Sequence, residues 1–166
     1  MSQESPPELL VFEVSGLNFS VPLAVVEEVV PSNAITRIPN SPPFLLGLSA
    51  VRGKVMGVID AARRYGLPKS LNSYFMVCHV RGNLTAVTID RPIYAGALEL
   101  RALDDVELDL LRSRSKVDPK FVTGGYEVLE KVDESGLTRA TGVTCLCVDP
   151  DLFVSAEMAS RVGEAA

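Results

Sequence analysis

The sequence predicts an all-β protein of barrel or sandwich type, and three observations carry that expectation. Short apolar runs alternate with period two, as strands with a covered face do. Turn signals separate them at intervals of about eight to twelve residues, the spacing of sandwiches and small barrels. Hydrophobic residues make up 47% of the chain, aromatics only 6%, and Trp is absent, so Val, Leu, Ile and Ala must build the core. Branched Val and Ile pack well on a pleated surface. A chain of 166 residues holds one domain with a sizeable core, or two small subdomains sharing one.

Residues 1–8 read as a polar, proline-containing tail. In LLVFEV, Leu10, Phe12 and Val14 share one face. Ser15-Gly16 then turns the chain into NFSVPL, where Phe19, Val21 and Leu23 alternate in the same way. VVEEVV continues as extended chain until Pro31 and Asn33 mark a bend. A loop punctuated by Pro39, Pro42 and Pro43 leads into two apolar strands, LLGLSAV and KVMGVID, around an Arg52-Gly53 turn. AARRYGLP predicts a short helix stopped by Gly66 and Pro68, and LPKSLNS (67–73) the connection between halves.

The second half opens on a hairpin, YFMVCHV and LTAVTID, around a three-residue Arg81-Gly82-Asn83 loop. PIYAGALEL predicts a further strand. Residues 101–120 are charged and less periodic, which predicts a mobile connection with one helical turn. FVTGGYEVLEKV and LTRATGVTCLCVD form a last hairpin around Asp133-Glu134-Ser135-Gly136, with a bulge or bend at Gly124-Gly125. DPDLFVSAEMASRV predicts a closing helix capped by Asp149 or Asp151, with Pro150 early in it. The expected organisation is a tail (1–8), one domain (9–152) and a C-terminal helix or tail (153–166). Within the domain, subdomains of about 9–68 and 72–152 are expected, with ends free to cross over.

The formal net charge is −5 and the pI about 4.9, so no basic face is available to displace counterions from nucleic acid. A mild negative charge serves solubility. MSQESPPE has neither the basic nor the apolar region of a signal peptide. VPLAVVEEVV is far too short to span a bilayer and carries two glutamates. Three cysteines, an odd number, argue against a disulfide framework. A cytoplasmic protein without direct membrane insertion is expected.

Cys78, His79, Cys145 and Cys147 are the tempting metal or redox set. Cys145 and Cys147 share a strand face with Val143, but adjacent Cys78 and His79 point oppositely. A structural zinc site needs four convergent ligands, and buried free cysteines commonly act as small hydrophobes. No nucleophile elbow or phosphate loop is present, and His79 is the only imidazole. These readings predict a protein that is not an enzyme and holds no cofactor. Glu27-Glu28 interrupts an apolar run, so one carboxylate can lie against the body while the other is displayed. A solvated edge strand explains that pair equally well. Arg52 on its rigid turn is either a plain exposed residue or a docking cation suited to bidentate pairing, with Glu28 the first candidate partner.

From about Leu9 to about Leu152 the chain resembles the CheW-like domain of bacterial chemosensory adaptors. LVFEVSGLNFSVPLAVVEEVV is similar to the family's opening, and ITRIPNSPPFLLGLSAVRGKV to its signature, down to Thr36, Ile38, Pro39, Gly47, Arg52 and Gly53. TAVTID, FVTGGYEV and TCLCVD resemble later strands more loosely. The resemblance implies two five-stranded, SH3-like barrels on one shared core. It implies an adaptor that joins the cytoplasmic tips of chemoreceptors to the regulatory domain of a CheA-type histidine kinase, in arrays at the inner face of the membrane. Other CheW-like domains are further implied partners. A receptor groove would involve Val26, Glu28, Gly47 and Arg52, with Gly53 completing the turn, and Ala86, Pro92 and Ala95 from the second half.

The sequence departs from the family pattern at Gly57, where proline is usual, and at Ala61-Ala62. It departs again at Ala86, where glycine is common, and at Pro92 and Ala95, where valines are common. These changes make receptor affinity or choice the property in question, and a paralogue binding only the kinase or one receptor class is the alternative. A small thiol, redox or metal protein is the alternative from another class. The chain ends soon after its last predicted strand, so no appended receiver domain is expected, and the polar tail that opens at Met1 argues against a kinase fragment.

Overall fold

Among the described residues, three two-residue turns each set a hairpin. Ser15 (φ 52°) with Gly16 (79°), Arg52 (49°) with Gly53 (79°), and Arg81 (48°) with Gly82 (81°) all lie in the left-handed region. Positive φ at both central residues matches the right-handed twist of the flanking strands. Asn83 therefore belongs to its strand, and the loop is one residue shorter than the three expected.

The computed structural model describes residues 8–132 and 137–153, with side chains described up to 129 and from 143. The chain runs β1 (Glu8–Val14), β2 (Leu17–Pro22), a 3-10 turn (Leu23–Val25), β3 (Val26–Pro31), β4 (Leu45–Val51), β5 (Lys54–Asp60) and α1 (Ala61–Tyr65). It continues as β6 (Tyr74–Val80), β7 (Asn83–Ile89), β8 (Arg91–Ala97), β9 (Glu99–Ala102), α2 (Asp105–Ser115), β10 (Val122–Val132) and β11 (Leu137–Val148). Further 3-10 turns cover Pro119–Phe121 and Pro150–Phe153. The turn at 133–136, the tail at 1–7 and the C-terminal helix expected beyond Phe153 lie outside the described residues.

The strands form a five-stranded sheet, β3-β6-β7-β5-β4, and a six-stranded sheet, β8-β1-β2-β11-β10-β9. The sheets are not divided near residues 68–72, because the first hairpin crosses over to join the later strands through a parallel β2–β11 contact. The 3-10 turn at Leu23–Val25 interrupts the extended run expected there and carries the chain from one sheet to the other. The run 91–102 breaks at Leu98 into β8, which pairs with β1, and β9, which pairs with β10. One residue thus joins the two edges of the six-stranded sheet and curls it closed.

Alternation along the strands sorts side chains into three cores. Leu10, Phe12, Val14, Ile59, Met76, Cys78 and Val87 enter a cluster shared by both sheets. Their neighbours Val58, Phe75, Val77 and Ala86 fill the interior of the five-stranded sheet. Val11, Val128 and Cys145 do the same for the six-stranded sheet. Strands buried on both faces explain how so few aromatics suffice. Those present concentrate in the shared core, where Tyr65 stacks on Phe19 at 4.8 Å and meets Phe121 and Phe153 edge-on.

The acids that close β5 and β7 are structural. Asp60 Oδ1 accepts the Arg63 N–H at 3.2 Å and caps α1. Asp90 accepts the Ser15 and Leu71 N–H groups at 2.9 and 2.8 Å, tying the connection between halves to the first turn.

The largest correction to the sequence reading is α2, an 11-residue helix where a mobile connection was expected. Asp104 accepts from the Glu107 N–H while the Glu107 carboxylate accepts from the Asp104 N–H, a complete capping box. Leu108 and Leu111 pack on the shared core. Gly125 lets the chain approach, since a Cβ there would lie 2.8 Å from Leu103 and 3.1 Å from Leu108.

Candidate functional site

Glu28 and Arg52 sit at opposite ends of the five-stranded order, on β3 and at the β4–β5 turn, yet Arg52 Nε donates to Glu28 Oε2 at 2.6 Å. Backbone stitching brings these edges together. Thr36 and Leu48 exchange both backbone hydrogen bonds at 2.8 Å. Asn33 Nδ2 donates to the Ala50 carbonyl at 2.9 Å, and the Ser49 hydroxyl donates to the Asn33 side chain and the Ala34 carbonyl. The segment after β3 therefore pairs with β4 and closes the sheet.

A register shift between Val26 and Glu28 sets the two glutamates apart. The Glu28 side chain is 25% exposed and clamped, whereas Glu27 is 54% exposed and lies 3.3 Å from His79 Nε2. Arg52 is 74% exposed, and its terminal nitrogens have no partner among the described residues. Exposed Ala50 and Val55 face each other across the same hairpin. The result is an exposed cation, oriented by one carboxylate, beside apolar surface. Val55 was missed by sequence reasoning because alternation alone does not say which strand face is covered.

The other candidate residues divide. Val26 is half-buried and packs on the shared core. Gly53 supplies the left-handed second position of the turn. Gly47 is a structural residue, because at φ 147° a Cβ would stand 2.0 Å from the Thr36 carbonyl oxygen, and only glycine permits the Thr36–Leu48 bridge. Ala86 corrects the expectation of a groove residue: it is fully buried between Val58 and Val77 and presents no surface. Pro92 and Ala95 are exposed on β8, in the other sheet from Arg52 and Glu28. An edge strand is where a missing N–H is tolerated, so Pro92 fits its position. Gly57 does not loosen β5, which keeps its ladders to β4 and β7 across that residue.

The thiols are scattered. Cys78 lies in the shared core and is pushed up to about 12 by burial, with the Asp151 charge adding to it. Burial also raises Cys145, and it raises Cys147 to about 11. Ser20 Oγ donates to Cys147 Sγ at 3.3 Å. Such thiols are protonated near neutrality and are poor nucleophiles and ligands. Among the described residues no group of three or more His, Cys, Asp or Glu side chains is placed to hold a metal ion. No described helix is long and apolar enough to cross a membrane.

Two sheets packed on one shared core make this a small double-barrel β protein. The chain belongs to the CheW-like domain family, whose model matches residues 8–124. It is 29% identical over 86 residues to a probable chemotaxis protein CheW of Rhizobium etli, covering 50% of this chain and 56% of that one. It is 36% identical over 56 residues to protein FrzA of Myxococcus xanthus, covering 34% and 35%. With chemotaxis protein CheW of Bacillus subtilis it shares 31% identity over 62 residues, 37% of this chain and 40% of that one. The chain spans about half the length of the first two curated relatives it matches. Among solved structures it resembles the scaffolding protein TtCheW of Thermoanaerobacter tengcongensis, with a TM-score of 0.64 and 22% identity over 89% of this chain and 92% of that one. That likeness shows the two-subdomain, SH3-like fold.

Proposed function

We propose that the protein is a non-enzymatic chemosensory coupling adaptor in the cytoplasm, joining the cytoplasmic tips of chemoreceptors to the regulatory domain of a CheA-type histidine kinase at the inner face of the membrane. The observation that carries this reading is the Arg52–Glu28 clamp, which fixes a cation with unspent donors beside exposed Ala50 and Val55. Its place in the CheW-like family supports it, as do the chemotaxis names of its relatives. Carboxylates and carbonyls on a partner helix would meet the free guanidinium nitrogens, and the apolar pair would add buried area.

Bridging is the property that defines an adaptor. Soluble receptor tips immobilised on beads should retain the kinase's regulatory domain only when this protein is added. Equal retention with and without it would contradict the reading. A narrower reading, in which only the kinase is bound, is favoured by Pro92 and Ala95 standing exposed where the family commonly has valines. Separate titrations with each partner distinguish the two.

A further inference from the structure

The cleft between the proline loop, the start of β4 and α1 encloses about 240 Å³ and is lined in part by Arg37 and Arg63. Both cations stand on fixed backbone. Thr36 exchanges hydrogen bonds with Leu48 at 2.8 Å, which anchors the residue before Arg37. Arg63 lies on α1, whose start is capped by Asp60, and its Nη1 donates to the Pro43 carbonyl at 3.1 Å. The loop between them is held as well. The Ser41 hydroxyl donates to the Ile38 carbonyl at 2.9 Å, the Leu45 N–H to the Pro42 carbonyl at 3.0 Å, and the Asp60 N–H to the Phe44 carbonyl at 2.7 Å. Ile38, Pro42, Leu45 and Leu46 supply apolar lining. Leu46 is the extra residue of a bulge between Leu45 and Gly47 in the β4–β5 ladder, a device that re-aims a side chain.

The charge in this cleft is unbalanced. Neither Asp nor Glu is among its lining residues. Elsewhere on the molecule Arg91 and Arg101 each reach a carboxylate, at 3.0 and 2.8 Å. Arg37, by contrast, is exposed and has no partner among the described residues. Arg63 meets only the Asp60 carboxylate, through Nε at 3.6 Å, and that carboxylate also caps α1. Its Nη2 has no partner among the described residues. On a chain of net charge −5, unspent guanidinium donors beside apolar lining mark a local preference for anions and not a general basicity. Planar guanidinium forks match the oxygens of a phosphate or a carboxylate.

We propose that this cleft binds a small soluble organic anion, with a phosphate or carboxylate group held by Arg37 and Arg63 and a compact apolar body against Ile38, Leu45 and Leu46. The volume sets the size of that body. An apolar cavity of about 150 Å³ already accepts benzene, so 240 Å³ admits a single ring together with its charged group. Solvent screens charges at an open cleft, so binding is weak, with a dissociation constant of about 1 mM. The cleft lies at the start of β4, whereas Arg52 follows its end. The site needs neither a receptor nor a kinase and does not rest on the coupling reading.

The test is titration of the purified full chain with phenyl phosphate and with benzoate, followed by amide chemical shifts in NMR spectra. At least one of the two should give saturable shifts centred on Arg37, Ile38, Leu46 and Arg63, weakened by added salt. Phenol, which lacks the charge, and inorganic phosphate, which lacks the apolar body, should each bind about tenfold more weakly or not at all. Arg37→Gln should weaken the ring-bearing anion about tenfold while keeping the wild-type urea midpoint. Absence of saturation with both probes up to roughly 10 mM overturns the proposal. So do shifts that Arg37→Gln leaves unchanged, or inorganic phosphate that binds as tightly as phenyl phosphate. Co-sedimentation with phosphatidic acid vesicles, without binding of either soluble probe, would assign the cations to a lipid headgroup and overturn it as well.

Discussion

Arg52 and Glu28 join the two edges of a five-stranded sheet across 2.6 Å, so a residue at an exposed hairpin tip also marks where the barrel closes. The pair is mostly solvated on the arginine side, and the Thr36–Leu48 bridge already holds the edges. The clamp therefore orients a guanidinium more than it stabilises a fold.

That view predicts a small coupling energy. In a double-mutant cycle with Arg52→Asn and Glu28→Gln, urea unfolding should return an interaction of about 0.5 kcal/mol, the usual scale for exposed pairs. Asn tolerates the left-handed conformation that Arg52 occupies, so the turn survives the change. A coupling above about 2 kcal/mol would make the pair part of barrel closure.

Gly47→Ala should be far more costly. Its Cβ would collide with the Thr36 carbonyl oxygen at 2.0 Å, in a backbone region that disfavours side chains. A loss of about 3 kcal/mol is expected from the clash and strain together. Urea midpoints compared with wild type would show it, and a near-neutral result would mean that the bridge is dispensable.

The thiols predict both reactivity and alkaline behaviour. An aromatic disulfide reagent at pH 8 should label native Cys78, Cys145 and Cys147 very slowly and the denatured chain rapidly. Cys78 and Cys147 hold their protons to about 12 and about 11, whereas an ordinary thiol ionises near 9. Between those values the unfolded state binds fewer protons than the native one, so stability should fall as pH rises from about 9 to 12. Chemical denaturation at stepped pH reads this directly.

Acid should act on α2. Glu107 is held down at about 2, chiefly by its hydrogen bond from Arg101 and then by the Asp104 N–H. Its contribution is present above the ordinary carboxylate range near 4.3 and is lost as pH falls towards 2. Helix content followed by circular dichroism should decline over that window, and earlier in Asp104→Ala. At neutral pH the cap substitution should cost about 1 kcal/mol.

Much of the fold was legible because its strands announce themselves locally. The Ser15-Gly16, Arg52-Gly53 and Arg81-Gly82 turns and the alternation of Leu10, Phe12 and Val14 are short-range signals. The Arg52–Glu28 pair was legible as well, since an arginine on a turn and a glutamate in an apolar run both invite a partner. Helix α2 was missed because its outward residues are as apolar as its inward ones, which blurs the period. Asp104-x-x-Glu107 was the available signal. The crossing of the first hairpin into the later sheet rests on Phe19 and Ser20 meeting Leu146 and Cys147, a contact between distant parts of the chain that no local pattern encodes. Ala86 was misplaced for a related reason. Its groove placement came from the resemblance alone, and the pairing of β7 between β5 and β6, which buries it, joins distant parts of the chain.

The proposed docking role of Arg52 is tested by titrating a receptor cytoplasmic tip with wild type, Arg52→Ala and Arg52→Asn. Both variants should unfold at nearly the wild-type urea midpoint and bind about tenfold more weakly, equivalent to about 1.4 kcal/mol. Wild-type affinity in both variants, or loss of the folded state in both, would contradict it.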